Sequence, residues 1–364
     1  MTTSFDLNAA AQRAMREAGF EPSLPPDAQA EVAELEAAPP SFPSALVDLR
    51  HLLWSSVDNA SSRDLDQIEV AERLPDGDIL LRVGIAEVDW LAQEGSGIDR
   101  HAALNTTTVY TGIVVFPMLP EVLSTRLTSL LADQERVAMV VELRVNPDGT
   151  LHSKNIVRAL VRNEARLSYE SIGPWLEGKA PLPEEIAAVP GLEAQLRLQD
   201  ETMERFLALR QRQGAINFET VEATPLTKDG KVVGMQVTQK NRARLLIESF
   251  MVAVNTAVAE FLFERGQVSL QRIVRAPARW PRIVEIAKSL GESLPELPDP
   301  QALSAFLERR RAAAPERFQN PPVEGRIVRG ERGLDVGDRV TVKLVNANPE
   351  TGYVDFIREP DGTL

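Results

Sequence analysis

The amino-acid sequence predicts an α+β fold: a mixed sheet packed by helices, preceded by a short helical extension and followed by a β-rich fragment. Three observations carry that expectation. Residues 45–161 read as strands punctuated by turn residues. Residues 193–213 and 241–265 read as long helices with helical spacing of their apolar positions. Beyond Arg339 the alternation of apolar and polar residues typical of strands returns.

In chain order, residues 8–18 can form a short helix that Gly19 could stop. Residues 21–43 are rich in proline and acid and read as a linker or loosely packed extension. Residues 1–43 are therefore expected to be a helical N-terminal extension and linker. The run 79–85 is strand-like, and Pro75-Asp76-Gly77 before it signals a turn. Residues 137–145 and 151–161 are two more strands, joined by Asn146-Pro147-Asp148-Gly149 as a hairpin. Lys228-Asp229-Gly230 makes another hairpin, between runs ending at Leu226 and starting at Val232. Residues 193–213 are helical up to Gly214, a good residue just past a helix end. Residues 241–265 form a longer, more apolar helix whose Leu246, Phe250, Val254, Val258 and Phe261 make a core-facing stripe. Pro295, Pro298 and Pro300 break the chain before a last helix at 302–313. Residues 339–345 and 353–357 are strands around the turn Asn348-Pro349-Glu350-Thr351-Gly352.

Composition narrows the chemistry. A length of 364 residues allows one large domain with small appendages. With 43% apolar and 26% charged residues, a sizeable core is expected. No apolar run is long enough for a membrane span, and residues 1–10 lack a secretory pattern, so a cytoplasmic protein is expected. Cysteine is absent, which removes thiol nucleophiles, disulfides and thiolate metal sites. His51, His101 and His152 show no spacing suited to a zinc pair. A metal site must then rest mainly on oxygen ligands, which favours magnesium, manganese or calcium. The net charge of −13 argues against an indiscriminate nucleic-acid coat. Lysine and arginine nevertheless gather in residues 240–282, in Arg309-Arg310-Arg311, and at Arg326, Arg329 and Arg332. These either line a basic channel within an acidic shell or are solvated faces.

The most informative segment is Ser56-Val57-Asp58-Asn59-Ala60-Ser61-Ser62-Arg63-Asp64-Leu65-Asp66-Gln67. Asp58, Asp64 and Asp66 are interleaved with small polar residues, and Val57, Leu65 and the following Ile68 can anchor the loop. Such a loop can turn several carboxylates toward one point. Phosphodiester hydrolysis needs that arrangement, because metal ions held by carboxylates offset the negative charge that builds on the phosphate. A polar surface loop with aspartates as turn formers or helix caps is the structural alternative. The central glycine and terminal glutamate of an EF-hand are missing.

The spacing Asp58-(x5)-Asp64-Leu65-Asp66 resembles the magnesium signature of the RNase II/RNase R (RNB-domain) exoribonuclease family. The flanks agree in order: Leu46-Val47-Asp48-Leu49, Val83-Gly84-Ile85-Ala86-Glu87-Val88, Tyr110, Phe116-Pro117-Met118-Leu119-Pro120, Arg166-Leu167-Ser168-Tyr169 and Trp175-Leu176-Glu177. Arg212-Gln213-Gly214-Ala215-Ile216-Asn217-Phe218-Glu219 and Ile247-Glu248-Ser249-Phe250-Met251 continue it, so the similarity covers residues 45–290. The resemblance implies an RNB-type mixed sheet over residues 44–320. It also implies a magnesium-dependent hydrolase, with manganese as a substitute, that shortens single-stranded RNA from the 3′ end to 5′-mononucleotides. By the same resemblance Asp58, Asp64 and Asp66 hold the metal, and Asp66 is the least dispensable for chemistry. Gln67 stands where many members carry a fourth aspartate; its amide oxygen can ligate but brings no charge. Tyr110 and Phe218 match aromatics that stack on terminal nucleotides, and Glu248 matches a carboxylate near them. The alternative for the aromatics is a place in the core, and for Glu248 a helix-surface charge. A monomer without organic cofactor or membrane contact is expected.

One departure stands beside the resemblance. A Thr/Ser-x-Pro-x-Arg-Arg-like motif, whose arginine positions the scissile phosphate in the family, has no counterpart here. Ala276-Pro277-Ala278-Arg279-Trp280 occurs too early to be it. Residues 321–364 resemble instead the closing half of an S1 RNA-binding domain, an OB-type barrel. The cold-shock domains of larger relatives are not found either. A non-catalytic RNA-binding protein on an incomplete RNB domain is therefore the second reading, and an acidic structural protein without RNA the third.

Overall fold

A computed structural model describes residues 6–38, 41–111, 114–215, 222–228, 231–238, 240–270, 277, 279–313, 325–334, 338–348 and 353–359. Helix α1 (Leu7–Glu17) is capped by Asp6, whose carboxylate accepts from the backbone N–H groups of Asn8 and Ala9 at 3.0 Å. The stretch expected as a linker contains a second helix, α2 (Pro26–Ala37). Pro26 fits a first turn, where no N–H is needed. Ala28, Val32 and Leu35 form a stripe that packs with Leu91, Ile98 and Leu123. Prolines and acids on the other positions hide that stripe in the sequence.

The central sheet is built from β1 (Val47–Asp48), β2 (Trp54–Asp58), β3 (Gln67–Arg73) and β4 (Ile79–Ala86). Helix α3 (Gly97–Asn105) and the short strands β5 (Val109–Tyr110) and β6 (Val115–Phe116) follow. The Glu31 carboxylate of α2 accepts from the first N–H groups of α3, Gly97 at 2.6 Å and Ile98 at 3.0 Å. Strands β7 (Glu135–Val145) and β8 (Leu151–Ser168) make the expected hairpin, although β8 runs well past its expected end.

Among the described residues the main sheet has the order β1-β8-β2-β3-β4-β7, and β8 also pairs with β7. The sheet therefore closes on itself through β8. Its first part runs antiparallel to β7, and its last part runs parallel to β2, with Asp58 beside Ser168. One face buries Trp54, Ile68, Val70, Val140 and Val161. The other buries Val57, Ala71, Leu81, Val83 and Leu143 under helices.

Those helices are α4 (Tyr169–Leu176), α5 (Glu184–Ala187) and α6 (Leu192–Arg212). After the strands β9 (Glu222–Lys228) and β10 (Lys231–Thr238), whose turn residues fall outside the described residues, comes α7 (Arg242–Glu264). By length and composition alone α7 could cross a membrane. In the fold it buries Leu246, Phe250 and Val254 of the expected stripe in the core together with Ala257, while Val258 packs against that core partly buried and Phe261 is only partly buried. Its N-cap is Asn241, which accepts from the Arg244 N–H at 3.0 Å and donates to the Tyr169 carbonyl at 2.7 Å.

Gly173 of α4 lies against that cap, and a Cβ there would overlap the Asn241 amide. Gly173→Ala gains up to about 1 kcal/mol of helix propensity. It loses a cap of about 0.5–2 kcal/mol and a buried hydrogen bond of about 1 kcal/mol. A net loss of roughly 1–2 kcal/mol is expected in a denaturant titration.

The chain divides into two compact units. The elements described so far lie mainly in the first. The second holds α8 (Trp280–Ser289), α9 (Pro300–Ala313), β11 (Arg326–Arg329), β12 (Val342–Asn348) and β13 (Tyr353–Arg358). Trp280, Ala287, Leu303 and Phe306 form its small core, with the Trp280 indole donating to the Pro295 carbonyl at 2.9 Å. The three strands pair in the order β11-β13-β12.

Candidate active site at the aspartate loop

The aspartates sit where β2 ends and β3 begins. Register sets Ser55 opposite Glu69, which carries Asp58 and Asp66 to the mouth of the strand pair. The intervening loop is held from several sides. The Ser129 hydroxyl accepts from the Leu65 N–H at 3.0 Å and donates to the Arg63 carbonyl at 3.1 Å. The Leu130 N–H donates to the Leu65 carbonyl at 2.8 Å, and the Ala86 N–H to that of Asp66 at 2.9 Å. Leu65 itself is buried, as its apolar character requires. Arg166, near the end of β8, donates to the carbonyls of Ala60 at 3.0 Å and Ser62 at 2.6 Å. Arg244 of α7 donates to the Asn59 side chain at 2.6 Å and stacks over the Tyr169 ring at 4.4 Å.

The electrostatics of the loop are those of crowded anions. Asp66 keeps solvent-exposed surface, yet the protein around its carboxyl removes part of its hydration. That loss, followed by repulsion from Asp58 and then Asp64, pushes its pKa up to about 6. Tyr110 on β5 is 67% exposed, and its hydroxyl is pushed up first by partial burial and then by Asp64, Asp66 and Asp58. The three aspartates and Tyr110 thus share one locality. Asp58 accepts from the Asn59 N–H at 2.7 Å. Gln67 is nearly buried and donates its amide to the Val57 carbonyl at 3.2 Å. Glu248 lies one turn beyond Arg244 on α7 and accepts from Lys240 at 3.0 Å. Phe218 lies outside the described residues.

Among the described residues no three acidic or histidine side chains close around one point as a ready-made cage. The donor set still suits a hard divalent cation. It offers oxygens only, it is held by backbone contacts, and Asp58 and Asp64 oppose the ionisation of Asp66. A buried acid behind the loop, Glu69, also has both carboxylate oxygens unpartnered.

Sequence reasoning left Arg166 and Tyr169 without a role, although both stand in a quoted motif. It passed over Arg244 and Glu69 altogether. The available signal for Glu69 was an acid at a strand position flanked by Ile68 and Val70, inside an otherwise apolar run.

A closed mixed sheet with helices on one face and an aspartate loop at a strand mouth defines a class of domain, and comparison with known families names it. The chain belongs to the RNB-domain family: the RNB domain profile matches residues 46–322. The profile of the RNase II-type exonuclease C-terminal S1 domain matches residues 317–359. Ribonuclease R 1 of Lactococcus lactis is 29% identical over 287 residues, 76% of this chain and 35% of that protein. The chain thus spans about a third of the length of that curated relative. Among solved structures, Mycoplasma genitalium RNase R in complex with ribose-methylated single-stranded RNA superposes with a TM-score of 0.73 at 22% identity. That match covers 84% of this chain and 48% of the other. A yeast pseudonuclease shares the fold at a TM-score of 0.53 and 14% identity, covering 69% of this chain and 31% of the other.

Proposed function

We propose that this chain is a divalent-metal-dependent exoribonuclease that hydrolyses single-stranded RNA from the 3′ end and releases 5′-mononucleotides. The observation that carries the reading is the cluster of Asp58, Asp64 and Asp66 at the mouth of β2 and β3, where Asp58 and Asp64 bear on the Asp66 carboxyl, beside the exposed ring of Tyr110. Membership of the RNB family and the relatives named Ribonuclease R support it.

In this reading Asp58, Asp64 and Asp66 hold magnesium, or manganese in its place, with Gln67 as a neutral neighbour. When bound, the metal supplies positive charge against the reacting phosphate and lowers the pKa of a water. Arg166 and Arg244 fix the backbone and Asn59 side chain of the loop, so the carboxylates keep their places as RNA arrives. The Tyr110 ring offers a face for a terminal base, a contact worth about 1–3 kcal/mol and indifferent to sequence. Phe218 is assigned the partner stacking role and Glu248 a contact to the terminal nucleotide. Residues 44–320 act as the catalytic domain, residues 321–364 as a partial S1-like RNA-binding fragment, and residues 1–43 as an extension. A cytoplasmic monomer without organic cofactor completes the proposal.

The second reading is an RNA-binding domain without turnover. It is favoured by the neutral Gln67, and the fold is shared with a pseudonuclease. Incubation with 5′-labelled single-stranded RNA separates the two. A magnesium-dependent ladder that shortens from the 3′ end, and stops in EDTA, is expected. Intact RNA retained by the protein in a shift assay would establish the binding module instead.

A further inference from the structure

Of the three aspartates, Asp64 has the least to hold it. Asp58 ends β2 in register with Ser168 and accepts from the Asn59 N–H at 2.7 Å. The Asp66 carbonyl accepts from the Ala86 N–H at 2.9 Å. The Asp64 side chain is exposed and makes no hydrogen bond or ion pair among the described residues. Its place therefore follows from the backbone on either side, at Arg63 and Leu65. One side chain grips both. The buried Ser129 hydroxyl accepts from the Leu65 N–H at 3.0 Å and donates to the Arg63 carbonyl at 3.1 Å. Leu65 is itself buried, so its N–H has no water to turn to if that hydroxyl is removed.

Ser129 is held in turn. It follows a π-helical turn, Leu123–Leu127, which the Thr128 N–H and hydroxyl close on the Leu123 carbonyl at 3.1 and 3.0 Å. Arg136, near the start of β7, lies at the carbonyl end of that turn, where a cation is favourable. Its guanidinium donates to the carbonyls of Arg126 at 2.8 Å, Ser129 at 3.0 Å and Glu135 at 2.8 Å. Elsewhere on this sheet Arg82 and Arg158 pair with carboxylates. Arg136 pairs with none among the described residues, and burial alone pushes its pKa down. All three of its nitrogens serve backbone oxygens around Ser129 instead. From the other side Asn163 of β8 donates to the Leu130 carbonyl at 2.8 Å and to the Ser56 hydroxyl at 3.0 Å. The segment that carries Ser129 is thereby tied to the strand that ends in Asp58.

We propose that Ser129 and Arg136 are positioning residues for Asp64. Arg136 fixes the turn that presents the Ser129 hydroxyl, and the hydroxyl sets the backbone on both sides of Asp64, so that its carboxylate stays beside those of Asp58 and Asp66. The inference rests on the reading of these aspartates as a metal centre. Partners that orient a metal ligand are typically worth about 10–100-fold in metal affinity.

The test is Mn2+ binding to the full chain without RNA, with the free ion read by electron paramagnetic resonance. Wild type, Asp64→Asn, Ser129→Ala and Arg136→Lys are compared, together with the last two each combined with Asp64→Asn. Asparagine keeps one oxygen, and Asp58 and Asp66 remain, so binding in the Asp64→Asn background is titrated at higher Mn2+. Binding by wild type that weakens in Asp64→Asn establishes Asp64 in the centre; no binding by wild type, or no weakening, overturns that reading and this one with it. With Asp64 established, Ser129→Ala and Arg136→Lys, whose ammonium lacks the planar fork, are each expected to weaken Mn2+ binding about 10–100-fold. Because both act through Asp64, that loss is expected to vanish once Asp64 is already Asn. A general disturbance of the fold would weaken binding as much in that background as in wild type. Such an additive result, or unchanged Mn2+ affinity in either single variant, would overturn the proposal and leave the aspartate centre intact. Ser129→Cys keeps the volume with only a weak donor and acceptor, so it carries the same comparison where Ser129→Ala fails to fold.

Discussion

Asp66→Asn is expected to slow RNA shortening by about 10³-fold, while affinity for single-stranded RNA stays near that of wild type. Asparagine keeps the size and one oxygen of the side chain and removes only its charge. The loop around it is fixed by backbone bonds from Ser129, Leu130 and Ala86, so the substitution should leave the fold in place. Single-turnover rates and a filter-binding titration read the two quantities separately. The same variant tests the electrostatics. Asp66 ionises in the fold only near pH 6, above its ordinary value of 3.8. Its ionisation therefore opposes folding: the stability it contributes is full at low pH and lost as pH rises through about 6. In EDTA, wild type should gain stability relative to Asp66→Asn as pH falls from neutral through 6. A rate near wild type in Asp66→Asn would remove Asp66 from the chemistry.

Arg166→Ala is expected to cost about 10²-fold in rate, although Arg166 touches none of the aspartates in the contacts described. Its guanidinium spans two carbonyls of the loop, at Ala60 and Ser62. Without it those acceptors face water and the stretch between Asp58 and Asp64 is free to shift. A misplacement of about 1 Å in a reactive geometry is enough for such a loss. Arg166→Lys keeps the charge but not the planar fork, so it should restore only part of the rate. Raising the magnesium concentration should rescue Arg166→Ala further than Asp66→Asn, because the carboxylates remain and only their placement is impaired.

The fold class and several of its elements were legible in the sequence alone. The aspartate spacing pointed to the loop, and alternation with turn residues located β4 and the β7–β8 hairpin. The Leu246, Phe250, Val254 stripe correctly oriented α7. What escaped was information held in contacts across the sequence. Arg166 is a polar residue on a strand, and nothing in its neighbours says that it will grip carbonyls about a hundred positions earlier. Glu69 looks like an ordinary acid until register places it under Gln67 and burial removes its water. α2 was hidden for the opposite reason. Its composition signals a linker, and only the surface of α3 turns three modest apolar residues into a helix face.

The long strand β8 has a consequence for how the protein comes into being. Its first half can pair at once with β7 through a tight turn. Its last residues must recruit β2, synthesised far earlier, with Asp58 settling beside Ser168. Closing so wide a loop is entropically expensive and comes after local pairing. On the ribosome, Asp58 therefore lacks its β8 neighbour, and the loop its Arg166 contacts, until β8 has emerged. A nascent chain halted before Arg166 is expected to bind Mn2+ more weakly than the full chain, with affinity rising once that strand is free to zip.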